Sequence, residues 1–170
     1  EIILLAEAHG RTEMITRFVL SQALSEGTAA LRCNQSFKIA INISSVDLQD
    51  PHFATWVEKL IANYDFPAKN LIFEITETAP LCDLISVNQN LATLKIMGIE
   101  LSVDDFGTGH ASLEQLRRID AAEVKIDRSF VIDIDKSTND ASLVVAIIAM
   151  ARSMNLELVA EGVETPEQYH

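Results

Sequence analysis

The chain has 170 residues, of which 48% are hydrophobic, enough to bury the core of one domain or of part of a larger one. Its 25 acidic against 13 basic side chains give a formal net charge of -12, which excludes a broad basic face for a nucleic-acid polymer or an anionic membrane. Cys33 and Cys82 form no CxxC pair and no apolar run reaches the length of a membrane span, so the expectation is a cytoplasmic protein with reduced thiols and no zinc site.

Residues 1–7 read as the inside of an element, without a start signal, so Glu1 is expected to be an interior edge. Thr12 is placed to cap a helix with Ile15, Phe18, Val19, Ala23 and Leu24 on one face, stopped by Gly27. Lys38 to Ile43 predicts a buried strand in which Asn42 is the polar exception. Asp50-Pro51 opens the next helix, with Phe53, Trp56, Val57, Leu60 and Ile61 at helical spacing. Pro67 breaks the chain before a second strand, Leu71 to Thr76, which carries Glu74. Leu84, Val87, Leu91 and Leu94 mark a helix that Gly98 closes.

The strand Ile99 to Val103 then delivers Asp104 and Asp105 to a glycine-rich turn, Phe106-Gly107-Thr108-Gly109. Leu113 to Ile119 predicts a short helix, and Glu123 to Asp127 a strand with Lys125 near its end. Ala141 to Met154 is apolar nearly all round, which predicts a deeply packed helix. Leu156 to Glu161 is the fifth strand, and Pro166 can open another helix after Gly162-Val163-Glu164.

Strand and helix alternate throughout, which leaves an open doubly wound sheet or a (β/α) barrel. No strand is followed by the Rossmann glycine fingerprint. Asn42, Glu74, Asp104, Asp105, Lys125 and Glu161 fall at or near the C-terminal ends of five strands. Those ends converge on one face of a barrel and cannot all meet in an open sheet. The reading is therefore an α/β fold, a TIM-like (β/α) barrel of which this chain covers the middle strands and lacks the first and last.

Two adjacent carboxylates repel and are costly to bury unpaired, so a cation beside them is the natural partner. Carboxylates and an amide oxygen are hard ligands that suit Mg²⁺ or Mn²⁺. More acids than one ion needs suggest two ions, the arrangement that supports phosphoester hydrolysis. A lysine can offset developing charge, and a further glutamate can accept a proton from water. Each residue also has a plainer role. Asn42 can bond backbone, Glu74 and Glu77 can flank a turn, Lys125 can pair with a core acid, and Glu161 and Glu164 can cap a helix. Asp105-Phe106-Gly107 matches the kinase metal-binding triplet, but the glycine-rich loop, strand lysine and His-Arg-Asp loop of a kinase are absent.

Taken together, Asn42-Ile43-Ser44, Glu74-Ile75-Thr76-Glu77, Asp104-Asp105-Phe106-Gly107-Thr108-Gly109, Lys125-Ile126-Asp127 and Glu161-Gly162-Val163-Glu164-Thr165 resemble the EAL-domain family in order and spacing. Those are bacterial phosphodiesterases that open cyclic di-GMP to linear pGpG on a TIM-like barrel. The resemblance covers essentially the whole chain and implies that residues 1–170 are a partial EAL phosphodiesterase domain. It implies that Asn42, Glu74 and Asp104 ligate one Mg²⁺ or Mn²⁺, and Asp104 and Asp105 a second. Lys125 would contact the attacking water and Glu161 act as or assist the general base. Glu77 would anchor the loop after Asp105, while Asp127 and Glu164 would support the site from behind.

The resemblance further implies a homodimer through the loop and helix after Asp105, and sensor or GGDEF domains in a parent that could be attached to the inner membrane. Glu7-Ala8-His9-Gly10 resembles the family's Ala-Glu-x-x-Gly helix start, and His110 and Ala111 stand where many members carry an aromatic residue and Ser. The Glu-Ala-Leu signature is expected upstream of Glu1 and the last two strands beyond His170, so the 170-residue piece alone is expected to be inactive. The alternative is a catalytically inactive cyclic di-GMP receptor or regulatory scaffold.

Overall fold

The structure is a computed structural model that describes residues 11–77, 79, 85–109 and 113–169, the side chains of 113–115 excepted. The readings on residues 1–10, Cys82, Leu84, His110 and Ala111 lie outside the described residues. The chain divides into two compact units, Glu1–Ile75 with Ala79–Glu100, and Thr76–Thr78 with Leu101–His170.

The first unit opens with helix α1, Thr12–Cys33, whose cap is Arg11 and whose first residue is Thr12. Its buried stripe is Thr16, Leu20, Leu24 and Gly27. Phe18, expected inside, is 70% exposed. Two features set this rotation. Thr16 Oγ1 donates to the buried Asp47 Oδ2 at 2.9 Å. A Cβ on Gly27 would stand only 2.1 Å from Ile39 Cδ1, so the bare glycine admits the strand instead of ending the helix.

Strand β1, Ile39–Asn42, pairs in parallel with β2, Leu71–Thr76, with Ile39 opposite Leu71 and Asn42 opposite Glu74. β1 is only half buried: Ile41 faces the core and Asn42 faces out, where a fully buried strand was expected. Between the strands, α2 (Ser45–Gln49) begins with a reciprocal capping box of Ser44 and Asp47. Helix α3, Phe53–Tyr64, starts later than Asp50-Pro51 suggests, because Asp50 O accepts the N–H of Phe53 in a turn. It buries Phe53, Ala54 and Val57. Helix α4, Ile85–Met97, buries Val87, Asn90, Leu91 and Leu94, and Gly98 closes it at φ 88°. Asn90 Nδ2 donates to Leu48 O and Asp50 O, both at 2.8 Å, and its Oδ1 accepts Ala54 N–H at 3.1 Å. One buried amide thus ties α4 to the chain around α2 and α3.

The second unit follows a regular alternation: β3 (Glu100–Phe106), α5 (Leu113–Ile119), β4 (Glu123–Ile126), α6 (Arg128–Val131), α7 (Thr138–Ser153), β5 (Glu157–Ala160) and α8 (Pro166–Tyr169). β4 pairs in parallel with β3 on one side and β5 on the other. Parallel neighbours require the intervening helical crossovers, which the helix signals in the sequence supply. Leu101, Val103, Leu116, Ile119, Val124, Ile126, Val131 and Ile147 form the buried centre. Helix α7 is less buried than its composition predicts. Only Val144, Ile147 and Ala151 are inside, and Val145 is 65% exposed. Among the described residues, no helix is long and apolar enough to cross a membrane.

Candidate active site

The acid pair does not follow a strand, as its sequence context suggests, but lies within one. β3 runs through Asp104 and Asp105 to Phe106. Val103 pairs with Val124 and Phe106 with Ile126, so Asp104 and Asp105 together oppose the single residue Lys125. That is a β-bulge, and within it Asp105 takes the left-handed conformation, φ 56°. A bulge re-aims side chains. Here both aspartates stand opposite one register position, and an oxygen of each reaches the same acidic cluster with Glu161 instead of opposite faces of the sheet.

Lys125 Nζ lies 3.1 Å from Asp104 Oδ1 and 2.6 Å from Glu161 Oε1. Its side chain and that of Asp104 are only 14% and 12% exposed, so these charges meet with little solvent between them. Asp104, Asp105 and Glu161 each offer one carboxylate oxygen, and these oxygens lie within 4.8 Å of one another. Glu161 follows the last residue of β5 and is held by its N–H, which donates to Ile126 O at 3.1 Å.

The electrostatics follow from that crowding. Burial, then the charges of Asp104, Asp127 and Glu161, hold the Asp105 carboxyl above the usual 3.8 of an aspartate. The Ser129 hydroxyl, which donates to Asp127, is the main reason the Asp127 carboxyl sits below it. Asp127 also caps α6, accepting Ser129 N–H at 2.9 Å. Like charges this close lower their energy by gaining a cation, and an all-oxygen donor set selects a hard one. The residues of this cluster therefore fit a hard divalent cation.

Glu77 stands behind the bulge. Its N–H donates to Asp104 O at 2.9 Å, and its buried Oε2 accepts the N–H groups of Gly107 at 2.7 Å and Gly109 at 3.1 Å. Gly107 needs to be glycine: its φ is 102°, and a Cβ there would meet the Phe130 ring at 2.8 Å. Glu164 lies further out, with its carboxylate 2.8 Å from Arg128 Nη2. In the first unit, Asn42 and Glu74 are register partners, and Asn42 Nδ2 donates to Glu74 Oε2 at 3.3 Å.

The second unit thus brings together Asp104, Asp105, Lys125, Glu161 and Asp127, with Glu77 in support. Three residues that help hold these segments were missed. Asp47 fixes the turn after Asn42-Ile43-Ser44, and the spacing Ser44-x-x-Asp47 is its sequence signal. Gln168 forms a second such box with Thr165, its Oε1 accepting Thr165 N–H at 3.0 Å. Arg128 has no sequence signal beyond its charge. A crevice of about 340 Å³ lined by Leu116, Arg117, Asp120, Ala121, Met154 and Leu156 lies before β4 and β5 in the chain, whereas the carboxylates lie within β3 and after β5.

A family model described as EAL domain matches residues 1–170. The chain is 36% identical over 165 residues to the bifunctional diguanylate cyclase/cyclic di-GMP phosphodiesterase MucR of Pseudomonas aeruginosa, covering 96% of this chain and 24% of that protein. It is 31% identical over 150 residues to the cyclic di-GMP phosphodiesterase RocR of the same organism, covering 88% and 38%. Among solved structures, a c-di-GMP complex of the PaMucR phosphodiesterase matches with TM-score 0.88 and 35% identity, over 98% of this chain and 68% of that one. The EAL domain of Mycobacterium smegmatis DcpA matches with TM-score 0.82 and 34% identity, over 90% and 70%. The fold class is that of these domains, a TIM-like α/β barrel, and the chain spans less than two fifths of the length of the two curated relatives.

Proposed function

Because the chain belongs to the EAL domain family, we propose that the protein hydrolyses cyclic di-GMP to linear pGpG with two divalent cations. The observation that supports this most is the group of Asp104, Asp105 and Glu161 oxygens within 4.8 Å of one another. The cation ligands in this reading are Asn42, Glu74, Asp104 and Asp105, as the family resemblance implies. Mg²⁺ or Mn²⁺ held by such ligands lowers the pKa of water and stabilises charge on a leaving oxygen.

The chain's own groups supply the rest. Glu161 accepts a proton from the attacking water, and Lys125, 2.6 Å from its carboxylate, orients it and offsets negative charge growing at the phosphate. Attack on one phosphorus of the cyclic dinucleotide releases a 3′ oxygen and leaves a 5′ phosphate, which is why the product is linear. Glu77 holds the loop after Asp105, Asp127 keeps α6 and Asp105 in relation, and Glu164 acts through the turn that follows Glu161. The same reading takes the protein to be cytoplasmic, dimeric through the loop and helix after Asp105, and joined to sensor or GGDEF domains.

The test is turnover by the full-length protein. Cyclic di-GMP should be converted to pGpG with Mg²⁺ or Mn²⁺ and inhibited by Ca²⁺, whose looser coordination holds ligands at the wrong geometry. Binding of cyclic di-GMP without hydrolysis at saturating Mn²⁺ would establish a receptor instead.

A further inference from the structure

We infer that Arg128 is a positioning residue for Glu161, acting on the turn that follows it through Gly162 and Glu164. The inference rests on the role proposed for Glu161. Gly162 has φ 71°, and the space a Cβ would fill there is taken by the stem of Arg128, with Cγ at 2.5 Å and Cδ at 2.9 Å. The arginine stem therefore lies directly against the residue after Glu161. Beyond the glycine, Arg128 Nη2 reaches Glu164 Oε1 at 2.8 Å.

A second tie runs beside the first. Gln168 Oε1 accepts the N–H groups of Glu164 at 2.7 Å and Thr165 at 3.0 Å, while its Nε2 donates to Ile132 O at 3.0 Å. The turn carrying Glu161 is thus fastened to the segment 128–132 by one side-chain stack, one ion pair and one bridging amide. The ion pair is 57% and 62% exposed, and pairs in that setting add little to stability. What the arrangement supplies is geometry. Gly162 and Val163 join Glu161 to the fastened segment, and Arg128 fills the space a side chain on the glycine would take.

A base that must face a water and a phosphate is sensitive to small displacements, and misplacement by about 1 Å can cost on the order of 100-fold in rate. Steady-state kinetics of the full-length protein with cyclic di-GMP and Mn²⁺ test the inference. Arg128→Ala should lower kcat by about 10- to 100-fold, leaving KM, Mn²⁺ affinity and Tm at parental values. Arg128→Lys, which keeps a stem over Gly162 and a charge for Glu164, should recover most of kcat. Gly162→Ala should lower kcat as well. Combined with Arg128→Ala it should be less damaging than the product of the two single effects, because the alanine then has room.

Parental kcat in Arg128→Ala overturns the inference, as does a kcat loss that tracks a fall in Tm and is not recovered by Arg128→Lys. Glu161→Gln is the separate control on the underlying reading. Parental turnover in that variant overturns the role of Glu161, whereas its inactivity beside a fully active Arg128→Ala overturns only the positioning.

Discussion

Glu77 Oε2 accepts the backbone N–H of Gly107 at 2.7 Å, across 30 positions of sequence. The same oxygen takes Gly109 N–H, and the Glu77 N–H bonds back to Asp104 O. One residue therefore grips the acid-bearing strand on both sides of Asp105. Glu77 as a residue is only 4% exposed, so no water replaces its carboxylate easily when it is removed.

Truncating it should free the loop. In Glu77→Ala the amides of Gly107 and Gly109 should exchange with solvent about 10- to 100-fold faster, the equivalent of one or two charge-assisted hydrogen bonds. Glu77→Gln keeps an acceptor oxygen and should fall between the two. Hydrogen exchange read at these two amides checks this, and unchanged protection in Glu77→Ala would contradict the anchoring.

Lys125 offers a different test because its removal should separate cation binding from turnover. It faces Asp104 at 3.1 Å and Glu161 at 2.6 Å, so a neutral side chain there leaves the carboxylates more negative. Lys125→Met should bind Mn²⁺ at least as tightly as the parent by calorimetry. Turnover should fall by about 100-fold or more if Lys125 has the proposed role of offsetting charge at the phosphate. Weakened Mn²⁺ binding would mean that Lys125 holds the site together instead of serving the reaction.

The carboxyl of Asp105 carries a pH signature. Burial first, and then Asp104, Asp127 and Glu161, keep it above 3.8. A raised folded value means that, without a cation, its contribution to stability is full below the unfolded value and is lost as pH rises through the folded one. Cations bind only the ionised form, so the dependence on pH reverses when Mn²⁺ is present. Mn²⁺ affinity should therefore decline with falling pH sooner than an ordinary aspartate would allow. Asp127→Asn, which removes one of the charges but can still cap α6, should move that decline to lower pH. Titrations at several pH values that give one constant affinity would contradict this.

The strand and helix order was legible because apolar periodicity, Pro67 and Gly98 mark boundaries that depend on local chemistry alone. Leu71 to Thr76 and Leu113 to Ile119 match β2 and α5 residue for residue. What was not legible depends on partners distant in sequence. Hydrophobicity places Phe18 inside α1, but the Thr16 hydroxyl bonded to Asp47 and the bare Gly27 against Ile39 turn the helix the other way. Nothing local distinguishes Asp104-Asp105 at a strand end from the same pair in a bulge, because the bulge exists only relative to β4. The candidate residues themselves were readable as types, since hard-ligand chemistry needs particular atoms. Arg128 was not, because its contact with Gly162 joins two segments that local pattern cannot relate.

The most direct measurement is the product formed from cyclic di-GMP by the full-length protein and by its Asp104→Asn variant, side by side with saturating Mn²⁺. The account predicts pGpG from the parent and none from the variant, because the amide removes the charge that both the cations and Lys125 need. Equal turnover by Asp104→Asn, or cyclic di-GMP bound by the parent and left intact, would contradict it.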